Sequence, residues 1–137
     1  MKFFCDVNVY RLAKYLRFAG FDTKTRRDFS LLQISNICKK ENRIFITRNK
    51  NIKIFLFSNV NTSLPKIEVL IFENYLEQIE YILKKYPLNP DHIATRCLEC
   101  NVLLKPSNED VLYCPRCGKK FWKGTHYDNM LKVVGGK

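Results

Sequence analysis

The residues whose types and spacing point most directly to chemistry are four cysteines. They form Cys97-x2-Cys100 and, after thirteen intervening residues, Cys114-x2-Cys117. Two such turns facing one another can supply four sulfurs at tetrahedral corners, the arrangement that holds structural zinc. In the second turn Pro115 stiffens the backbone, and Gly118 permits a left-handed residue after the last ligand so that amides can reach the sulfurs. A segment this short has too little core to fold unaided, so Zn²⁺ is expected as a structural cofactor that contributes folding energy. The competing reading, two disulfides, belongs to an oxidising compartment. A closed four-thiolate site does no chemistry of its own. Cys5 and Cys38 fall at core-facing positions and read as buried, inert thiols.

A second group is defined by where strands should end. Residues 2–6 read as a short buried strand ending in Asp6, and residues 43–47 (Arg-Ile-Phe-Ile-Thr) as the clearest strand, ending in Thr47-Arg48-Asn49. Residues 66–72 form a third strand before Glu73, while Asp28 precedes a helix. Parallel sheets gather functional groups beyond the carboxyl ends of their strands. A carboxylate there suits Mg²⁺ or Mn²⁺, which takes one or two acids and completes its shell with water and phosphate. Asp6, Asp28, Thr47 and Asn49 are therefore the candidate catalytic residues. The plainer alternatives are that Asp6 and Asp28 cap helices, that Glu73 is a solvated strand end, and that Thr47 and Asn49 form a polar turn.

The elements that must position these groups follow from apolar periodicity. Residues 8–19 are predicted helical, with Val9, Leu12, Ala13 and Leu16 on one face and Gly20 at the stop. Residues 21–25 are a candidate strand. Asp28 or Ser30 can cap a helix running to about Glu41. Residues 52–57 fit either a strand or a short apolar helix, and residues 58–65 a turn-rich loop. Asn74 with Glu77 starts a helix through Lys85. Residues 86–95, with Pro87 and Pro90, read as a linker, and residues 111–113 and 119–122 as hairpin strands around the cysteines. The order predicts an α/β fold with a mostly parallel sheet over residues 1–90, followed by a four-cysteine zinc ribbon over residues 91–137.

The net charge is +11, from 24 Lys and Arg against 13 Asp and Glu, and both segments share it. A field of this sign attracts polyanions, and nucleic acid is the commonest of these in a cell. No apolar run is long enough to span a bilayer. The N-terminus reaches a charge before a signal core could develop, so a cytoplasmic location is expected. Arg11 and Arg17 lie six apart on the first predicted helix and could contact phosphate, while Arg48 and Lys50 belong to a basic loop at the presumed active edge. Lys119, Lys120, Phe121, Trp122 and Lys123 interleave cations with aromatics, as single-stranded RNA binders do. Arg11 and Arg17 could instead pair with acids, and Trp122 could pack the ribbon core.

Asp6-x4-Arg11-Leu12-Ala13-x2-Leu16-Arg17-x2-Gly20-Phe21-Asp22 resembles the opening of a PIN-like ribonuclease domain, the Mut-seven C-terminal RNase domain family. The resemblance continues through Arg27-Asp28, Arg43-Ile44-x2-Thr47-Arg48, the two cysteine turns and Trp122-x-Gly124-Thr125-His126. It implies a PIN-like fold, metal-dependent RNase activity on clustered acids, and an appended zinc ribbon, with Asp6 matching the first acid. Two positions depart from the family pattern. Leu31 stands where an acid is usual, and Asn49 completes what is usually Thr-Arg-Asp. An amide brings no charge and cannot act as a base, so a weakened acidic site is expected. The readings are thus an RNA-directed, divalent-metal-dependent ribonuclease, a catalytically inactive RNA- or ribosome-binding module, or a protein-binding adaptor using the ribbon.

Overall fold

The computed structural model describes residues 1–59 and 63–135; part of the predicted 58–65 loop, residues 60–62, lies outside the described residues. Four short strands form one parallel sheet: β1 (Lys2–Cys5), β2 (Asp22–Lys24), β3 (Ile44–Thr47) and β4 (Ile67–Val69). The spatial order is β2-β1-β3-β4, with Phe4 opposite both Lys24 and Phe45. The chain therefore winds one way from β1 to β2 and the other way from β3 to β4. The reversal creates a crevice beyond the carboxyl ends of β1 and β3.

Strand alternation divides the core into two clusters. On one face Phe3, Cys5, Ile44 and Ile46 meet α1 (Tyr10–Phe18), α4 (Tyr75–Lys85) and α5 (Thr125–Gly135). On the other, Phe4 and Phe45 meet α2 (Leu31–Glu41) and α3 (Ile52–Asn59). The ambiguous 52–57 segment is thus a helix, and Ile52 and Leu56, spaced i, i+4, are its buried pair. Burial raises the Cys38 thiol to about 12, and the Cys5 thiol higher, so neither ionises near neutrality.

Local chemistry explains the boundaries. Ser30, not Asp28, caps α2: its hydroxyl accepts from Gln33 N–H while the Gln33 side chain accepts from Ser30 N–H. Gly20 follows α1 with φ +102°, and a Cβ there would lie 2.5 Å from the carbonyl oxygen of His92. Only glycine lets the linker pass this close. After a short turn at Pro90–His92 the chain builds a small antiparallel sheet of β5 (Lys105–Pro106), β6 (Leu112–Tyr113) and β7 (Lys120–Phe121). Helix α5 then returns to the body and buries Met130 and Val134 in the same cluster as Phe3 and Leu16. Among the described residues, no helix is long and apolar enough to cross a membrane.

Candidate functional site: a switch-point edge and a cysteine clasp

Asp6 leaves β1 and Thr47 ends β3, so the two stand side by side at the crevice where winding reverses. Thr47 Oγ1 donates to Asp6 Oδ2 at 2.7 Å, and Val7 N–H donates to Asp6 Oδ1 at 2.8 Å. Asp6 therefore does cap the turn at Val7–Val9, as the plainer alternative held, yet its carboxylate remains at the sheet edge. Thr47 Oγ1 also accepts from Asn49 N–H at 3.0 Å, and Arg48 N–H donates to Asn8 Oδ1 at 3.2 Å. Asn8 completes this chain of hydrogen bonds, and sequence reasoning missed it because a surface Asn in a turn has no distinguishing pattern.

Arg48 reaches Glu73 at 3.9 Å, a loose pair because the Glu73 side chain is 88% exposed. Its Nε is buried and has no hydrogen-bond partner among the described residues. A buried guanidinium N–H left unpaired is costly unless water or a ligand oxygen satisfies it. Asn49 Oδ1 accepts from Asn51 N–H at 3.0 Å at the entrance to α3, where it acts as the polar turn anticipated. Lys50 is exposed in the same loop. Asp28 is held by Arg26 through two 3.2 Å contacts, which keep its carboxyl below the usual range. No described hydrogen bond or ion pair joins it to Asp6. Leu31, at the family's usual acid position, packs against the Phe4–Phe45 cluster.

The predicted helical arginines have different fates. Arg11 is exposed and stacks on Tyr75, with its guanidinium carbon 3.7 Å from the ring centroid. Arg17 corrects the expectation of a phosphate contact. It is 4% exposed, and its guanidinium donates to the carbonyls of Thr23 (2.8 Å), Leu98 (2.7 Å) and Glu99 (3.2 Å). It bolts the first cysteine turn to the body and presents no open face to RNA.

The sulfurs of Cys97, Cys100, Cys114 and Cys117 lie within 4.8 Å of one another, with Cys97 and Cys117 3.8 Å apart. Tetrahedral Zn–S bonds of about 2.3 Å place sulfurs about 3.8 Å apart, so the donor set fits zinc. Among the described residues this is the one group of three or more Cys, His, Asp or Glu side chains placed to hold an ion. Asp6, Asp28 and Glu73 form no comparable cluster. Each turn is closed by a left-handed residue, Asn101 (φ 70°) and Gly118 (φ 77°), whose N–H donates to the carbonyl of the turn's first cysteine. N–H groups of Cys100, Arg116 and Cys117 point at sulfurs 3.4 Å away. Burial works to raise the Cys114 thiol, but the N–H groups of Cys117 and Arg116 outweigh it and bring it down to about 7.

Asn101 does a second job. Its side chain accepts from Thr23 N–H (2.9 Å), satisfying a backbone donor on the open edge of β2, and donates to the Asp22 side chain at Oδ1 (2.7 Å). Asp22 also accepts from buried Arg43 at 2.9 Å. Burial pushes the Asp22 carboxyl up, but Arg43 and Asn101 more than offset it, leaving it below the usual carboxylate range. In the ribbon, Lys119, Lys120 and Trp122 are exposed, and Phe121 rather than Trp122 packs inward.

The architecture is a parallel α/β domain with a polar switch-point edge, carrying on its flanking strand a four-cysteine clasp of the zinc-ribbon kind. The family model described as the Mut7-C RNAse domain matches residues 1–111 and 105–134, and the chain belongs to that family. No curated protein and no solved structure matches the chain.

Proposed function

We propose that the protein is an RNA-directed, divalent-metal-dependent ribonuclease with a reduced acidic site, working at the edge formed by Asp6 and Thr47. The observation that carries this reading is the 2.7 Å hydrogen bond between two residues at the tips of β1 and β3, 41 positions apart in sequence. Thr47 fixes the Asp6 carboxylate at the crevice mouth. Arg48, with a buried unpaired Nε and a further nitrogen loosely held by exposed Glu73, is suited to take a phosphate oxygen. Lys50, in the loop after Thr47, and Arg11, on α1, are exposed and add positive charge. Residues 1–90 thus carry the reaction and residues 91–137 brace it.

Asp6 is the main carboxylate that would hold Mg²⁺ or Mn²⁺ at this edge, with exposed Glu73 and the Asn49 amide as weaker oxygen donors. That donor set suits an ion that arrives with its phosphate, since Mg²⁺ commonly uses one or two carboxylates and substrate oxygens. Such an ion supplies Lewis-acid stabilisation of charge on the phosphoryl group. The chain's own contribution is to orient Asp6, neutralise phosphate with Arg48, and hold the strand tips rigid. Asp28, paired with Arg26, is neutralised there and stands at most as a secondary acid beside the basic loop before α2.

A second reading, a non-catalytic RNA- or ribosome-binding module, is favoured by Leu31 and Asn49, which replace two expected acids. Cleavage of a single-stranded RNA with added Mn²⁺ by wild type and Asp6→Asn separates the two. The ribonuclease reading predicts wild-type cleavage that Asp6→Asn reduces by a factor of about 100 or more. Cleavage that survives the substitution removes the proposed site. Absence of cleavage in both, with salt-sensitive RNA binding retained, selects the binding module.

A further inference from the structure

Between β7, the start of α5 and the end of α1 opens a cavity of about 290 Å³. Its apolar lining mixes rings and aliphatic groups: Phe18, Phe121 and Tyr127 with Leu98, Leu104 and Met130, the Phe18 and Tyr127 rings edge to face at 5.5 Å. Its rim carries Arg96, Lys119, Lys120, His126 and Trp122, and no acidic side chain lines it. Trp122 is 64% exposed, yet it is not loose. A Cβ at Gly124 would lie 2.9 Å from its indole Nε1, so the ring rests against bare backbone. Lys119 lies 4.0 Å from Glu99, while Lys120 has no ion-pair partner among the described residues.

An apolar slot lined in part by aromatic rings, with Arg96, Lys119 and Lys120 and no acid around it, favours a flat, apolar ligand that carries negative charge at its margins. A nucleobase on a phosphate backbone has that character: every base offers a π-face for stacking, and the flanking phosphates meet the cations. The volume lies near the lower end of the range for small-ligand sites. An uncharged apolar peptide would fill the slot but leave the rim cations unused.

We propose that this cavity binds one nucleobase of a single-stranded RNA, with Trp122 stacked over the base and the adjoining phosphates on Lys119 and Lys120. The proposal rests on the RNA-directed reading above and adds a subsite to it. Helix α1 separates the two places, because it starts beside the Asp6 edge and ends at the cavity. Tyr10 to Phe18 spans about 12 Å at ~1.5 Å per residue. At an axial spacing of about 3.4 Å per nucleotide, that is about three or four nucleotides. The cavity therefore anchors a strand at a distance from the Asp6 edge and does not read the base at that edge.

Trp122 is the chain's single tryptophan, so its emission reports directly on the cavity. The test titrates the full chain at low salt with a twelve-residue oligouridylate and with an abasic ribose-phosphate chain of equal length. Oligouridylate is expected to quench the emission and the abasic chain to leave it nearly unchanged. In a label-based assay Trp122→Ala should weaken oligouridylate binding about 5- to 100-fold, and Trp122→Phe should recover most of that loss. Lys120→Gln should lower the slope of log affinity against log salt by about 0.7. Since Trp122 is exposed, zinc content and circular dichroism of the variants should match wild type. RNA binding with unchanged emission and an unaffected Trp122→Ala overturns the cavity while leaving the RNA reading intact. Equal quenching by the abasic chain overturns base insertion. Failure of wild type to bind either chain at low salt overturns both this proposal and the reading beneath it.

Discussion

The chain contains two places where a metal is implied, and they are built on opposite terms. The cysteine clasp is complete: four sulfurs at mutual distances that suit one ion, amides aimed at them, and a left-handed residue closing each turn. It is also closed, with no position left for a reactant. The switch-point edge is open and sparse, with one well-placed carboxylate, a hydroxyl that orients it, and an arginine whose Nε lacks a partner. A site that must hold a fold together is over-determined by its ligands, whereas a site that must admit RNA leaves coordination and hydrogen-bonding capacity unspent. The clasp also braces the body. Through Arg17 and Asn101 it covers the free edge of β2, the strand beside β1, which delivers Asp6.

The strongest way to break this contrast is to empty the clasp. Stripping zinc with a chelator, or Cys114→Ser, should unfold the ribbon and lower the melting temperature of the whole chain by about 10 °C or more, because structural zinc binding is itself folding energy. Calorimetry checks this; a ribbon that melts while the body's transition is unmoved would refute the brace. Next in size is Arg17→Met, which leaves the carbonyls of Thr23, Leu98 and Glu99 without their shared donor. A loss of about 3 kcal/mol is expected in urea denaturation. A loss under 0.5 kcal/mol would mean the guanidinium contributes nothing there.

Acid sharpens the same boundary. The Asp22 carboxyl is depressed in the folded chain, so the unfolded state binds protons more readily and stability falls as pH drops below about 4 through the folded-state value. Asp22→Asn should flatten that part of the stability-against-pH curve while lowering stability at pH 7. An unchanged acid limb would show that Asp22 is not coupled to folding. Smallest of all is Thr47→Val, expected to cost about 1 kcal/mol of stability while lowering RNA cleavage. A variant as active as wild type would show that Asp6 needs no orienting partner.

Legibility in the sequence follows the same division. The clasp was readable because its ligands are local: Cys-x2-Cys fixes a turn whatever surrounds it. The sheet and the helix faces were readable from periodicity, and Val9, Leu12, Ala13 and Leu16 are all buried. Pairings across the chain were not readable. Arg17 reaches Leu98 over 81 positions and Asn101 reaches Thr23 over 78, and nothing about an isolated Arg or Asn signals such a partner. Helix α5 went unassigned although Tyr127, Met130, Leu131 and Val134 form an i, i+3, i+4, i+7 stripe. The cations and aromatics just before it carry the louder signal. Arg17 misled because its place beside the apolar stripe of α1 suits a surface cation until the ribbon is laid over it.

The division of labour comes down to single-turnover RNA cleavage in Mn²⁺, measured per folded molecule for Asp6→Asn and Asn101→Ala at a temperature where both remain folded. The account predicts that Asp6→Asn loses cleavage with its zinc retained. It predicts that Asn101→Ala melts several degrees lower but cleaves at the wild-type rate. Wild-type cleavage by Asp6→Asn, with cleavage lost in folded, zinc-bound Asn101→Ala, would contradict it and move the working site to the ribbon.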